Sequence, residues 1–175
     1  AREFERAIFL TGLPPDQSTT AQSQRDDFAT QLKDELMIER PPTDDWLTLF
    51  RRLAQSTAKG RILVVLDEIS WLGAMDPAFL GKLKTAWDLH LGRNPQLILI
   101  LAGSLSTWIE KNILSSTGFF GRVSLELHLN ELSLHDSCQF WGKHAPLVSC
   151  HEKLRLLMIT GGVPRYLEEI DPTSS

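Results

Sequence analysis

Short apolar runs and helical stripes alternate along the chain. Ala7-Ile8-Phe9-Leu10 predicts a buried strand, closed by Thr11-Gly12-Leu13-Pro14-Pro15, where a glycine and two prolines stop any regular element. Phe28, Leu32 and Leu36 recur every four residues with charges between them, which predicts a helix ending before Pro41-Pro42. Trp46, Leu49, Phe50 and Leu53 follow the i, i+3, i+4, i+7 spacing of a second helix, with Asp44 or Asp45 as its cap. Ile62-Leu63-Val64-Val65-Leu66 has no polar residue on either side of its alternation. Both faces of that strand therefore require cover, as in a parallel sheet between helix layers.

Asp76-Pro77 predicts the start of a third helix, with Leu80, Leu83, Trp87 and Leu91 as its buried stripe. Leu97-Ile98-Leu99-Ile100-Leu101-Ala102 repeats the fully apolar strand pattern and ends in Gly103-Ser104, after which residues 105–114 resume helical character. Val123, Leu125, Leu127 and Leu129 alternate with Ser124, Glu126 and His128, the pattern of a strand with one wet face near a sheet edge. From Leu132 onward the chain reads as helical, and no internal repeat or long linker interrupts it. Strand and helix in alternation imply right-handed crossovers and a parallel sheet with helices on both faces. Ligands bind such sheets beyond the carboxyl ends of the strands. The expected fold is thus α/β, with a sheet core over residues 1–130 and the start of a small helical lid over 131–175.

Composition narrows the classes. The chain has 175 residues, 42% hydrophobic and 23% charged, an ordinary globular balance that excludes collagenous, coiled-coil and low-complexity readings. A formal net charge of −4 argues against coating nucleic acid by charge alone. Two cysteines are too few for a disulfide scaffold, and no charged-then-apolar leader opens the sequence, so the cytoplasm is the expected compartment. The longest apolar stretch, residues 97–103, is far shorter than the roughly 18 residues of a membrane span. Cys138, His144, Cys150 and His151 lack the paired spacing that sets four zinc ligands tetrahedrally.

Asp67 and Glu68 end the most apolar strand, where their carboxylates project into the crevice at the sheet's C-terminal edge. An acidic pair there divides the work of nucleoside triphosphate hydrolysis: Asp67 holds hydrated Mg²⁺, and Glu68 accepts a proton from the attacking water. Adjacent strand residues point opposite ways, which separates the two roles unless the backbone turns just after Asp67. The plain alternative is an acidic turn or helix cap after a buried strand. Ser104, at the end of the neighbouring strand, offers a hydroxyl to sense phosphate or orient water beside Glu68, or else a helix cap. Arg122 follows Gly118-Phe119-Phe120-Gly121, from which its guanidinium can reach a nucleotide phosphate in this or a neighbouring subunit. Its alternative is a surface ion pair with Glu126 or Glu131. Gly161-Gly162-Val163-Pro164-Arg165-Tyr166 lets backbone approach a ligand closely, or simply breaks and restarts a helix.

Taken in order and spacing, residues 62–71 (ILVVLDEISW), 97–104 (LILILAGS), Gly121-Arg122 and 160–167 (TGGVPRYL) resemble the archaeal-type ATPase family, of the STAND branch of AAA+ P-loop ATPases. The resemblance covers nearly the whole chain. It implies a P-loop NTPase core with ATP and Mg²⁺ as cofactors, Asp67 as the Walker B metal ligand, Glu68 as the catalytic base and Ser104 as the sensor. It further implies Arg122 as an arginine finger acting through self-association, and Pro164 as the lid proline, with Gly162 and Arg165 beside it in nucleotide binding. A further C-terminal domain, sometimes nuclease-like, is a feature of related proteins and would bring nucleic acid as a partner.

The departure from the family is the phosphate cradle. No G-x-x-x-x-G-K-[ST] occurs, and Gly81-Lys82-Leu83 lacks the following hydroxyl. In the family the first strand and phosphate loop precede the element matching Ala7 to Thr11, so the expectation is a fragment without its front end. With the family's strand order of fifth, first, fourth, third, second, the absent strand is a central one and its loss exposes apolar edges. The rival from another class is a degenerate interaction module that keeps the fold to bind protein or DNA.

Overall fold

The computed structural model describes residues 3–144, 146 and 148–170, with side chains for all of these but Lys143 and His144. The chain divides into two compact units, Ala1–Ser124 and Leu125–Ser175. The first is α/β. Its elements in order are β1 (Arg6–Thr11), α1 (Ala21–Leu36), α2 (Trp46–Ser56), β2 (Ile62–Asp67), α3 (Ile69–Ala74), α4 (Phe79–Leu89), β3 (Leu97–Leu101) and α5 (Ser106–Ile109), which runs on into a π-helical turn at Glu110–Leu114.

The three strands form one all-parallel sheet in the order β1-β2-β3. Val64 pairs with Ile8 on one side and Leu99 on the other, and Val65 with Phe9 and Ile100, so each row across the sheet presents one face. The row containing Ile8 and Val64 belongs to the core, where Leu10, Leu66 and Leu97 join Phe28, Leu32, Trp46, Phe50, Leu53, Phe79 and Leu83 from the helices. Its centre is aromatic. Trp46 meets Phe28 and Phe79 edge-on at 5.2 and 4.8 Å between centroids and stacks on Phe50 at 5.7 Å, arrangements that the ring quadrupoles favour.

The opposite row corrects the expectation of helices on both faces. Phe9 is 60% exposed, Ile98 45% and Ile100 42%, while Leu63 and Val65 are half-buried. Uniform apolarity along a strand states a need for cover, and the first unit meets that need on one face only. The strand expected around residues 123–129 is likewise absent. Leu125, Leu127 and Leu129 are exposed and pair with no strand among the described residues. Alternation makes a strand only where a neighbour supplies a hydrogen-bonded ladder, and without one the backbone groups stay with water.

Local signals fix most helix ends. Thr20 and Ser23 form a capping box at the start of α1, and Met37 closes it in the left-handed conformation. Of the two candidate caps for α2, Asp45 serves, its Oδ2 accepting from the Leu47 N–H at 3.1 Å. Asp76 Oδ1 accepts from Ala78 N–H at 2.9 Å, so the turn it caps comes first and α4 begins at Phe79. The short α3 carries too few turns to leave a periodic stripe.

The second unit contains α6 (Leu134–Ser137), α7 (Cys150–Thr160) and α8 (Pro164–Glu168), with Trp141, Leu157 and Leu167 at its core. Ser133 and Ser149 cap α6 and α7. Among the described residues no helix is long and apolar enough to cross a membrane.

Candidate functional site

β2 is the central strand, and its last residue, Asp67, lies exposed at the C-terminal edge of the sheet, level with Thr11. The next residue turns the chain. Glu68 adopts φ 47 and ψ 48, the left-handed region that residues other than glycine occupy infrequently. The turn is bonded on every side. Its carbonyl accepts from Trp71 N–H at 2.8 Å and Leu72 N–H at 3.2 Å, its own N–H donates to Asp67 Oδ1 at 2.9 Å, and Ile69 N–H donates to Ala102 O at 2.9 Å. The pleat therefore does not carry Glu68 away to the far face. Ser104 Oγ donates to Glu68 Oε2 at 3.4 Å, a long contact that brings the second carboxylate and the expected sensor hydroxyl together.

Asp67 uses Oδ1 to hold the turn, as the acidic-turn alternative requires, and among the described residues no hydrogen bond engages its Oδ2. One exposed carboxylate oxygen suits Mg²⁺, which keeps several waters and takes only one or two carboxylates from a protein. Among the described residues no group of three or more His, Cys, Asp or Glu side chains gathers to cage a metal, so an ion held at Asp67 would keep most of its waters; for the phosphates this chain carries no matching loop.

On the other side of Glu68 lies the segment that follows β1. Gly12 N–H donates to Asp67 O at 3.1 Å. A Cβ at Gly12 would lie 2.9 Å from both Glu68 O and Leu72 N, so the closeness of the two segments depends on glycine. Two glutamines of α1 hold the flanks. Gln31 accepts from Thr11 N–H at 2.8 Å and donates to Thr11 O at 2.9 Å; Gln24 accepts from Leu13 N–H at 3.0 Å and donates to Leu13 O at 2.8 Å. Each side-chain amide thus pairs with backbone as a neighbouring strand would. Sequence reasoning missed both residues, although their i, i+7 spacing beside Phe28 and Leu32 is the legible sign of amides on the buried face of α1.

Among the described residues Arg122 shares no hydrogen bond with this cluster. Its guanidinium grips Asp88 through Nε to Oδ1 at 2.7 Å and Nη2 to Oδ2 at 2.9 Å, while Lys84 Nζ reaches the same carboxylate at 2.9 Å. The partner is neither Glu126 nor Glu131, because Asp88 on α4 offers a bidentate fit that the fork of Arg matches. Arg122 first, then Lys84, hold the Asp88 carboxyl well below the usual carboxylate range. A depressed folded-state value means that the pair's contribution is complete above about pH 4, where a free carboxyl ionises, and is lost as pH falls through the lower folded value. The Asp88 carboxyl carbon is expected to titrate clearly below that range by NMR; a midpoint near pH 4 would contradict the pairing.

Gly162, Pro164 and Arg165 lie in the second unit. Gly161 closes α7 in the left-handed conformation, and Pro164 opens α8 at its first turn. Gly162, at φ 77, approaches the chain's own backbone: Leu132 N–H donates to its carbonyl at 2.9 Å, and a Cβ would come within 2.6 Å of Leu132 O. Arg165 pairs with Glu169 at 2.6 Å and Glu168 at 3.5 Å along α8. The helix-break alternative thus describes this turn well. Cys138 and Cys150 are free thiols, and the side chain of His144 lies outside those described. No protein-family model matches the chain, and no curated protein is significantly similar to it.

Proposed function

We propose that this chain carries the metal and base side of an ATP-hydrolysing P-loop switch domain of the archaeal-type, STAND-like kind, with ATP and Mg²⁺ as cofactors. The observation that carries it is the end of β2: two consecutive carboxylates at the C-terminal edge of a central parallel strand, with a left-handed turn that leaves Asp67 exposed and Glu68 beside Ser104. Asp67 would hold hydrated Mg²⁺, which when bound offsets charge on the phosphates. Glu68 takes the proton of the attacking water, and Ser104 restrains the carboxylate that receives it. No phosphate loop of such a domain is among these 175 residues, so the hydrolysis reading is tested in a form of the protein to which one is joined. The Arg122 role in self-association requires release from Asp88, while nucleotide contacts from Gly162, Pro164 and Arg165 rest on the resemblance alone.

In a form that carries the loop, Asp67→Asn should remove the Mg²⁺-dependent part of ATP affinity, read by calorimetric titration with and without the metal. An Asn variant whose affinity rises with Mg²⁺ as much as the parent's would take Asp67 out of the metal site. The interaction-module reading has one observation in its favour, the open apolar sheet face of Phe9, Ile98 and Ile100. It predicts no nucleotide affinity in any form of the protein.

A further inference from the structure

The segment after β1 has a role that its sequence does not advertise. We propose that Gly12 is a positioning residue: Thr11-Gly12-Leu13, held from behind by the amides of Gln24 and Gln31, is the abutment that fixes the Glu68 turn and hence the place of its carboxylate beside Ser104. The proposal rests on the reading of Glu68 as proton acceptor for its catalytic consequence, but not for its geometry.

Three observations combine. The close approach is backbone to backbone, since a Cβ at position 12 meets Glu68 O and Leu72 N at 2.9 Å and the Trp71 Cβ at 3.0 Å, none of which is the far end of a flexible side chain. Gly12 has no left-handed φ, so its requirement is space and not conformation. Neither side yields easily. Gln24 is buried and bonds both polar groups of Leu13 and the Trp71 carbonyl at 3.2 Å, and Gln31 bonds both polar groups of Thr11. Behind the turn, Ile69 N–H is fixed to Ala102 O, the residue pair that links α3 to the end of β3 near Ser104. A methyl group inserted at Gly12 must therefore displace the Glu68 turn, which is bonded through one left-handed residue, or tear Thr11 and Leu13 from their glutamines.

The test is Gly12→Ala with two readouts. In a form of the protein that hydrolyses ATP, turnover should fall by roughly tenfold to a hundredfold while ATP affinity stays within about twofold, as expected of a misplaced reacting group. In the 175-residue chain, the Ser104 resonances should move, because Ser104 Oγ bonds the Glu68 carboxylate and is not among the atoms nearest a Cβ at Gly12, while the Trp46 indole signal stays in place. Unmoved Ser104 resonances in Gly12→Ala, or turnover equal to the parent's, would overturn the proposal. If the parent itself shows no ATP turnover, the ATPase reading fails while the Ser104 resonances still decide the role of Gly12. Should Gly12→Ala not fold, Gln31→Ala alone decides: amide exchange at the Glu68 turn should quicken by about tenfold, and unchanged exchange would refute the abutment.

Discussion

Glu68→Gln, in a form of the protein that binds Mg-ATP, should leave nucleotide affinity intact and slow hydrolysis by about 10²- to 10⁴-fold, the span that a positioned general base contributes. The substitution preserves the shape of the side chain and the donor–acceptor contact with Ser104, which an amide oxygen still accepts. It removes only the capacity to take a proton. Glu68 is also held by its backbone rather than by its carboxylate, through bonds from Trp71, Leu72 and to Asp67, so the turn should survive the change. Single-turnover rates with bound ATP check this directly. Unchanged rates would remove Glu68 from the mechanism and leave the acidic pair as a strand-ending turn.

Trp46→Ala should have the largest effect on folding, a loss of about 3–5 kcal/mol. Trp46 is fully buried and touches Phe28, Phe50 and Phe79, so its removal opens a cavity that rings on three elements cannot collapse to fill. A domain stable by about 5–15 kcal/mol has little left after that loss. Denaturant unfolding followed by circular dichroism measures it, and a loss under about 1 kcal/mol would mean that the aromatic cluster is not the keystone of the first unit. Part of the gross loss is offset, because the buried indole N–H finds no acceptor among the described residues.

Much of the first unit was legible in the sequence because its signals are local. The stripe of Phe28, Leu32 and Leu36 became α1, the Trp46-to-Leu53 spacing became α2, and the two uniformly apolar runs became β2 and β3. What failed depends on neighbours. Phe9 and Ile100 carry the apolarity of covered positions, yet cover is a property of what packs there and no residue encodes it alone. Leu125, Leu127 and Leu129 alternate as a strand does, yet a ladder needs a second strand.

The site divides the same way. Asp67 ends one apolar strand, Glu68 follows it and Ser104 follows the neighbouring one, and a parallel sheet brings strand ends together, so the contact between Glu68 and Ser104 was readable. The left-handed turn at Glu68 was readable only as a condition. The Asp88 partner of Arg122 lies 34 residues away in sequence, where charge spacing within one helix or loop says nothing. The glutamines that hold Thr11 and Leu13 escaped notice because polar residues on an apolar stripe look like interruptions rather than like surrogate strands.

Calorimetric titration of Mg-ATP into a form of the protein bearing a G-x-x-x-x-G-K-[ST] loop decides whether Asp67 and Glu68 handle a magnesium-bound polyphosphate. Saturable binding in the micromolar to millimolar range, weakened when Mg²⁺ is withheld, is the predicted result, and the absence of any affinity for adenine nucleotides would contradict it.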